Sequence, residues 1–221
     1  MDITVPLHDL SSLGKDLHVI VITGGPCSGK TTGLIRLRTL LAARGYKVLV
    51  SPESATKLIM GGIVPGEDCS LSAAEFQRHI LLDTLAQEQC YISAAQHYRD
   101  LGGKVVVLCD RGAIDGVAYA GESAFGEILA RLGLTMQQVC ERRYHAVMHL
   151  TTAALGAEAH YTLANNSARM ETLEEAREMD HRIRQAWERH PHPRVIDNST
   201  DFERKIDRLF EEVTAVLQGE G

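Results

Sequence analysis

No stretch of the sequence approaches the ~20 consecutive apolar residues that a membrane-crossing helix needs, so no bilayer partner is expected. The opening Met1-Asp2-Ile3-Thr4-Val5-Pro6 lacks the basic and apolar regions of a secretory leader. Cysteine is sparse, with five residues at 27, 69, 90, 109 and 140, an odd number with no C-x-x-C pair. That pattern fits reduced core thiols in a cytoplasmic protein rather than a disulfide framework. Positive charge is not in excess either. The net charge of −6 argues against bulk nucleic-acid binding, although a single nucleotide or strand end needs only a local site. Internal repeats, low-complexity tracts and linkers are all missing. The 221 residues therefore suit one α/β domain spanning 1–221 with its own core.

What is present is a glycine-rich run, Gly24-Gly25-Pro26-Cys27-Ser28-Gly29-Lys30-Thr31, which fits the phosphate-binding pattern G-x-x-x-x-G-K-[ST], the Walker A loop. It follows an apolar strand, His18-Val19-Ile20-Val21-Ile22-Thr23, and opens a helix over 32–44 with Leu34, Leu37, Leu40 and Leu41 on one face. Strand and helix signals then alternate. Strands are predicted at 47–50, 104–108, 145–150 and 194–196, and a long helix is predicted from a capping box at Ser72-Ala73-Ala74-Glu75 to about 101. A second capping box, Thr172 to Glu175, opens a helix to about 190, with Trp187 on its apolar side. A last helix, 201–217, is amphipathic through Phe202, Ile206, Leu209, Phe210 and Val213. The expected architecture is a three-layer, P-loop kinase-like fold: a five-stranded parallel sheet with helices on both faces. The stretch 151–170 is longer than most loops and reads as lid-like.

The chemistry expected of these residues follows from their types. Loop amides and the helix dipole favour a phosphate, so Gly24, Gly25, Pro26, Cys27, Ser28, Gly29, Lys30, Thr31 and Thr32 are the expected nucleotide contacts. Lys30 would reach the β- and γ-phosphates of ATP, and Thr31 would ligate Mg²⁺. Asp110 ends the apolar run 105–109 and is the second candidate for holding Mg²⁺ or its water, unless it only caps the next helix. Arg111 either binds acceptor or phosphoryl oxygens or pairs with Asp115. Glu53, just past the second strand, either positions an acceptor hydroxyl or starts a helix after Pro52. Arg169 is a lid arginine or a partner of Glu171, with Asn165 and Asn166 in support. Asp197 and Asn198 follow the last strand and lie beside the base or make a turn. Glu75, Gln77 and Arg78 are candidate acceptor contacts on the long helix. Cys27 is either redox-sensitive, because a helix N-terminus lowers a thiol pKa, or a small loop filler. His190-Pro191-His192 has no further ligands at metal spacing and reads as a loop.

Taken together, residues 22–32, 52–55, 110–115, 168–171 and 196–199 with Phe202 resemble the P-loop ATPase/kinase family usually labelled an AAA-type domain. The chain is also similar to the nicotinamide riboside kinase domain of bacterial NAD-synthesis regulators, and more loosely to the deoxynucleoside kinases. The latter resemblance rests on Glu53 and Asp110-Arg111. It departs at Gly112, where those enzymes carry serine, and in lacking their aromatic residue after the strand-two acid. The resemblance implies a Mg²⁺-ATP-dependent kinase whose partners are a nucleotide and a small-molecule acceptor. The acceptor would offer a hydroxyl of a nucleoside-like molecule or of a nucleotide end. The alternative from another class is a nucleotide-dependent switch, or an NTPase without an acceptor. Absence of an N-K-x-D motif argues against a GTPase switch.

Overall fold

A computed structural model describes residues 7–66, 71–161 and 172–219. Five strands, β1 (Leu17–Thr23), β2 (Tyr46–Ser51), β3 (Lys104–Asp110), β4 (Ala146–Leu150) and β5 (Pro193–Ile196), form one sheet in the order β2-β3-β1-β4-β5. Every pairing is parallel. Strands covered on both faces need no polar alternation, which is why β1, β3 and β4 read as unbroken apolar runs.

The two faces have different covers. Val19, Val21, Val105, Val107 and Val147 turn toward α3 (Ala73–Asp100) and α7 (Leu173–Trp187), and meet Leu81, Leu85, Ile92 and Ile183. Ile20, Ile22, Val106, Leu108 and Met148 turn toward α1 (Lys30–Ala43) and α8 (Phe202–Leu217), and meet Leu34, Leu37, Leu209 and Val213. The three layers expected from the sequence are present. The remaining helices are α2 (Ser54–Met60), α4 (Gly116–Ala120), α5 (Glu122–Arg131) and α6 (Met136–Val139).

Some local expectations shift. The Thr172–Glu175 capping box forms with both reciprocal bonds. At Ser72 the hydroxyl accepts from the Glu75 N–H, but the Glu75 carboxylate goes to Arg78 and Arg131 instead of back to the cap. A box not foreseen, Thr135 with Gln138, starts α6. α7 ends at Trp187, which is buried, and His190 beyond it bonds the Tyr144 carbonyl at 3.0 Å. Phe202 is not in the core; it is 43% exposed at the start of α8.

Four histidines gather where the strands begin, at the edge away from the glycine loop. His8 donates to the Arg143 carbonyl at 2.8 Å, and the Val19 N–H donates to His145 Nδ1 at 3.0 Å, a bond that only the neutral ring accepts. Burial, helped by the Arg143 charge, holds His8 down to about 3. Burial and the neighbouring His18 hold His145 down to about 4. Burial also lowers His18 and His190. In the unfolded chain these rings titrate near 6.5. Between that value and their folded values the unfolded chain binds the extra protons, so stability is complete at neutral pH and falls on acidification. His8 and His145 should each remove on the order of 2 kcal/mol between pH 7 and pH 5. Urea unfolding at the two pH values checks this. An unchanged midpoint would contradict it.

Candidate functional site

The glycine loop leaves β1 and is tied back from outside. On α7, Asp180 is 3% exposed and accepts from the Gly25 N–H at 2.9 Å and the Thr152 N–H at 3.0 Å. His149 bonds its other oxygen at 3.2 Å. Burial alone would raise the Asp180 carboxyl, but these hydrogen bonds bring it below its usual range. A β-carbon on Gly25 would stand 2.7 Å from that carboxylate, and one on Gly24 would stand 2.0 Å from the Leu150 carbonyl. Both positions exclude any larger residue.

The loop carbonyls are held as well. Thr152 Oγ1 donates to the Pro26 carbonyl, the Ala153 N–H to that of Cys27 at 3.2 Å, and Lys205 Nζ to that of Ser28 at 3.1 Å. With the carbonyls of Pro26, Cys27 and Ser28 tied off and the Gly25 N–H given to Asp180, the remaining loop N–H groups and the first turn of α1 are the donors left for an anion. Lys30 folds across the loop, its Nζ on the carbonyls of Gly24 and Gly25 at 3.0 and 3.1 Å. Phosphate oxygens would compete for that ammonium.

Lys205 itself is buried on α8. Besides Ser28 it bonds the Thr151 carbonyl and Asn198 Oδ1, each at 2.7 Å. Burial pushes it down to about 8 against the pull of Asp180. Asn198 donates to the carbonyls of Thr152 and Leu155, both at 2.7 Å. Asn198 thus lines the cavity as a clasp between chain segments. Asp197 turns away instead. It accepts from Ser199 and Arg208, which hold its carboxyl at about 2.

Beyond the loop lies a cavity of about 1140 Å³. Its walls include Lys30, Thr31, Thr32 and Phe202, with Cys27 at the rim. A second cavity of about 180 Å³ lies between α2, α3 and α4, lined by Pro52, Phe76, Gln77, Ile80 and Tyr119 among others. Glu53, Asp110 and Arg111 belong to both. Arg111 takes a left-handed backbone, φ 69°, which costs a side-chain-bearing residue roughly 1–2 kcal/mol and is held by its N–H on the Ile22 carbonyl at 3.0 Å. Its guanidinium meets Glu53 at 2.5 Å and Asp115 at 3.7 Å.

Of the two alternatives for Arg111, the pairing with Asp115 is present, with Glu53 as the nearer partner, and the residue also lines both cavities. Asp115 mainly braces the turn, accepting from Thr23 Oγ1 at 2.5 Å and the Gly112 N–H at 2.6 Å. Gly112 is a glycine of necessity, since a β-carbon there would meet the Trp187 ring at 2.7 Å.

The two carboxylates of the seam are tuned in opposite directions. Burial would raise Glu53, but Arg111, the Thr56 hydroxyl at 2.6 Å and Lys30 bring it below its usual range. Burial and the Glu53 charge raise Asp110, against Lys30 and Arg111. Asp110 Oδ1 is buried with no hydrogen-bond partner. A divalent cation supplies what that oxygen lacks, and the Thr31 hydroxyl lines the same cavity, so these two residues fit Mg²⁺. No cluster of three or more acidic, histidine or cysteine ligands exists among the described residues. That suits an ion held largely by phosphates and water.

Arg169, Asn165, Asn166 and Glu171 lie outside the described residues. Of the helix contacts proposed for an acceptor, Gln77 lines the second cavity, whereas Glu75 and Arg78 pair with each other at 2.8 Å. Asp180 and Lys205 were not anticipated from the sequence. Their signal is a charge inside a buried stripe: Asp180 between Ala176 and Ile183, and Lys205 beside Ile206 and Leu209.

A family model described as an AAA domain matches residues 19–205, from β1 to the lysine clasp. None of the curated proteins matches the chain. The match supports a nucleotide-binding P-loop domain and does not bear on the two narrower kinase resemblances. No helix among the described residues is long and apolar enough to cross a membrane.

Lys205→Met should cost about 2–4 kcal/mol of unfolding free energy, because one buried and two half-buried acceptors lose their donor. Lys57→Met removes a surface pair with Asp83 at 2.6 Å and should cost less than about 1 kcal/mol. Denaturant titration of the two variants checks the contrast; equal costs would refute the clasp.

Proposed function

The chain belongs to the AAA-domain family, and on that premise we propose that it is a Mg²⁺-ATP-dependent phosphotransferase. Its acceptor is a hydroxyl of a nucleoside-like small molecule or nucleotide end. The observation that carries this reading is the second cavity, which meets the phosphate cavity at Glu53, Asp110 and Arg111. A switch or a simple NTPase needs one pocket; a group transfer needs two that touch at the reacting atoms.

Lys30, the loop amides and Thr31 hold the triphosphate. Mg²⁺, held by Thr31 and Asp110, supplies neutralisation of phosphate charge. Glu53 stays ionised and faces the acceptor cavity, so it takes the proton as the acceptor oxygen forms its bond to the γ-phosphorus and ADP leaves. Arg111 keeps its charge despite burial, because Tyr119, Asp115 and Glu53 support it, and it steadies the oxygens of the moving group.

The acceptor wall favours an uncharged molecule over a phosphorylated one. Among the described residues Glu53, Asp110 and Asp115 line it against the guanidinium of Arg111, while Glu88 is paired with Arg143 at 2.6 Å behind the wall. Gln77, 7% exposed there, offers both a donor and an acceptor to an amide or ring-nitrogen edge.

Mg²⁺-ATP consumption measured against nucleosides, nucleotides, nicotinamide riboside and 5′-hydroxyl oligonucleotides tests the reading. One acceptor class should stimulate turnover. Lys30→Ala should abolish that stimulation, and Glu53→Gln should lower kcat by about 10²-fold or more, with thermal midpoints near wild type. Slow, equal turnover across the panel would replace the kinase by an NTPase or switch.

A further inference from the structure

The larger cavity has room for a base beyond the triphosphate. Phe202 stands on its wall with 43% of its surface exposed, unusual for a phenylalanine. Its ring edge rests on the phosphate loop, where a β-carbon on Gly29 would stand 2.7 Å from Cε2. Small residues, Ala153, Gly156 and Ala157, line the same cavity. An exposed aromatic face fixed beside a phosphate loop is a stacking surface for a heterocycle one triphosphate away.

The polar side chains around this slot are already engaged. Asn198 uses its amide on two carbonyls and its oxygen on Lys205, and Lys205 is fully occupied by three acceptors. Glu158 accepts from the Gly156 N–H and from Arg177, both at 3.1 Å, and Asp201 caps α8 at 2.8 Å. Both carboxylates are exposed, so water competes for their remaining oxygens. Thr200 also lines the slot, and its hydroxyl donates or accepts equally well.

We propose that Phe202 is the nucleobase platform of this site, and that the slot takes the base by its face rather than its edge, so that adenine and guanine triphosphates bind alike. Strong discrimination between heterocycles requires buried polar groups left unpaired by the wrong one. Among the described side chains around Phe202 there is none; the cavity's buried orphan, Asp110 Oδ1, belongs to the seam shared with the second cavity. This inference goes beyond the phosphotransferase reading and rests only on nucleotide binding.

Calorimetric Kd values for ATP, GTP and inorganic tripolyphosphate, each with Mg²⁺, test it without any acceptor. Wild type should bind ATP and GTP within tenfold of each other. Phe202→Leu keeps an apolar contact with Gly29 but removes the aromatic face. It should weaken both nucleotides about tenfold and leave tripolyphosphate within twofold. Phe202→Tyr should retain nucleotide affinity. An equal loss for tripolyphosphate would make Phe202 a prop for the loop, and no loss for the nucleotides would deny stacking; either overturns the platform. A purine preference beyond tenfold overturns recognition by the face. None of these failures touches the acceptor assay, which stands or falls separately.

Discussion

Two buried charges hold the phosphate loop in its working shape. Asp180 draws in the Gly25 N–H from one side, and Lys205 draws out the Ser28 carbonyl from the other. A loop of this kind is strained: Cys27 sits at φ 54°, a region disfavoured for any residue with a β-carbon. Such strain persists only where surrounding contacts over-determine it. The same two side chains also bind Thr151 and Thr152, so the exit of β4 is assembled by the groups that shape the loop. Buried ions are weak stabilisers, since desolvation offsets much of their attraction. Their value here is geometric: Asp180 fixes the Gly25 N–H at the start of the loop, and Lys205 fixes the Ser28 carbonyl at its end.

The seam between the cavities is built on a second strained residue. Arg111 leaves β3 left-handed, which turns its side chain back across Glu53 and toward the Gly24 carbonyl at 3.4 Å. One guanidinium thereby touches the glycine loop and the carboxylate shared by the two cavities. Asp110, next to it in the chain, lines the same space and keeps a buried oxygen, Oδ1, without a hydrogen-bond partner. Neighbouring residues on one strand end thus receive opposite assignments. Arg111 is paired within the protein, and Asp110 keeps one oxygen unpaired.

The sheet, its covering helices and the phosphate loop were legible because each has a local cause. Apolar runs mark strands buried on both faces, and G-x-x-x-x-G-K-[ST] marks a loop that must bend tightly around an anion. Partnerships were not legible. Glu75 completes the capping-box pattern, yet Arg131, 56 positions away, takes its carboxylate. Lys205 stands beside Leu209 in the stripe that reads as core, and only the exits of three strands explain a charge there. Phe202 shows the reverse. It continues the apolar stripe of α8, but that stripe overruns the sheet, and its first residue lands on Gly29 instead of in the core. Helical periodicity reports which side of a helix is apolar, not where the helix begins relative to the layer beneath it.

Strand order explains why the two cavities lie where they do. The chain leaves β1 for β2, returns to β3 at β1's side, then crosses to β4 and β5 on the other. β1 is therefore the strand from which neighbours run out in both directions, and ligands of open parallel sheets gather beyond the carboxyl end of such a strand. Exit loops of β4 and β5, carrying Ala153 and Asn198, can only wall the loop on one side. Those of β2 and β3, carrying Pro52 and Gly112, can only wall a space on the other. The side chains at the shared boundary must then come from the exits of β3 and β2, the strands on the side of the second cavity. Glu53, Asp110 and Arg111 occupy that boundary, and the register, with Ile22 opposite Asp110 and Ser51 opposite Cys109, brings them level with the loop. The proposed transfer would have to cross between the two spaces along this line, and the topology had placed it there before any side chain was chosen.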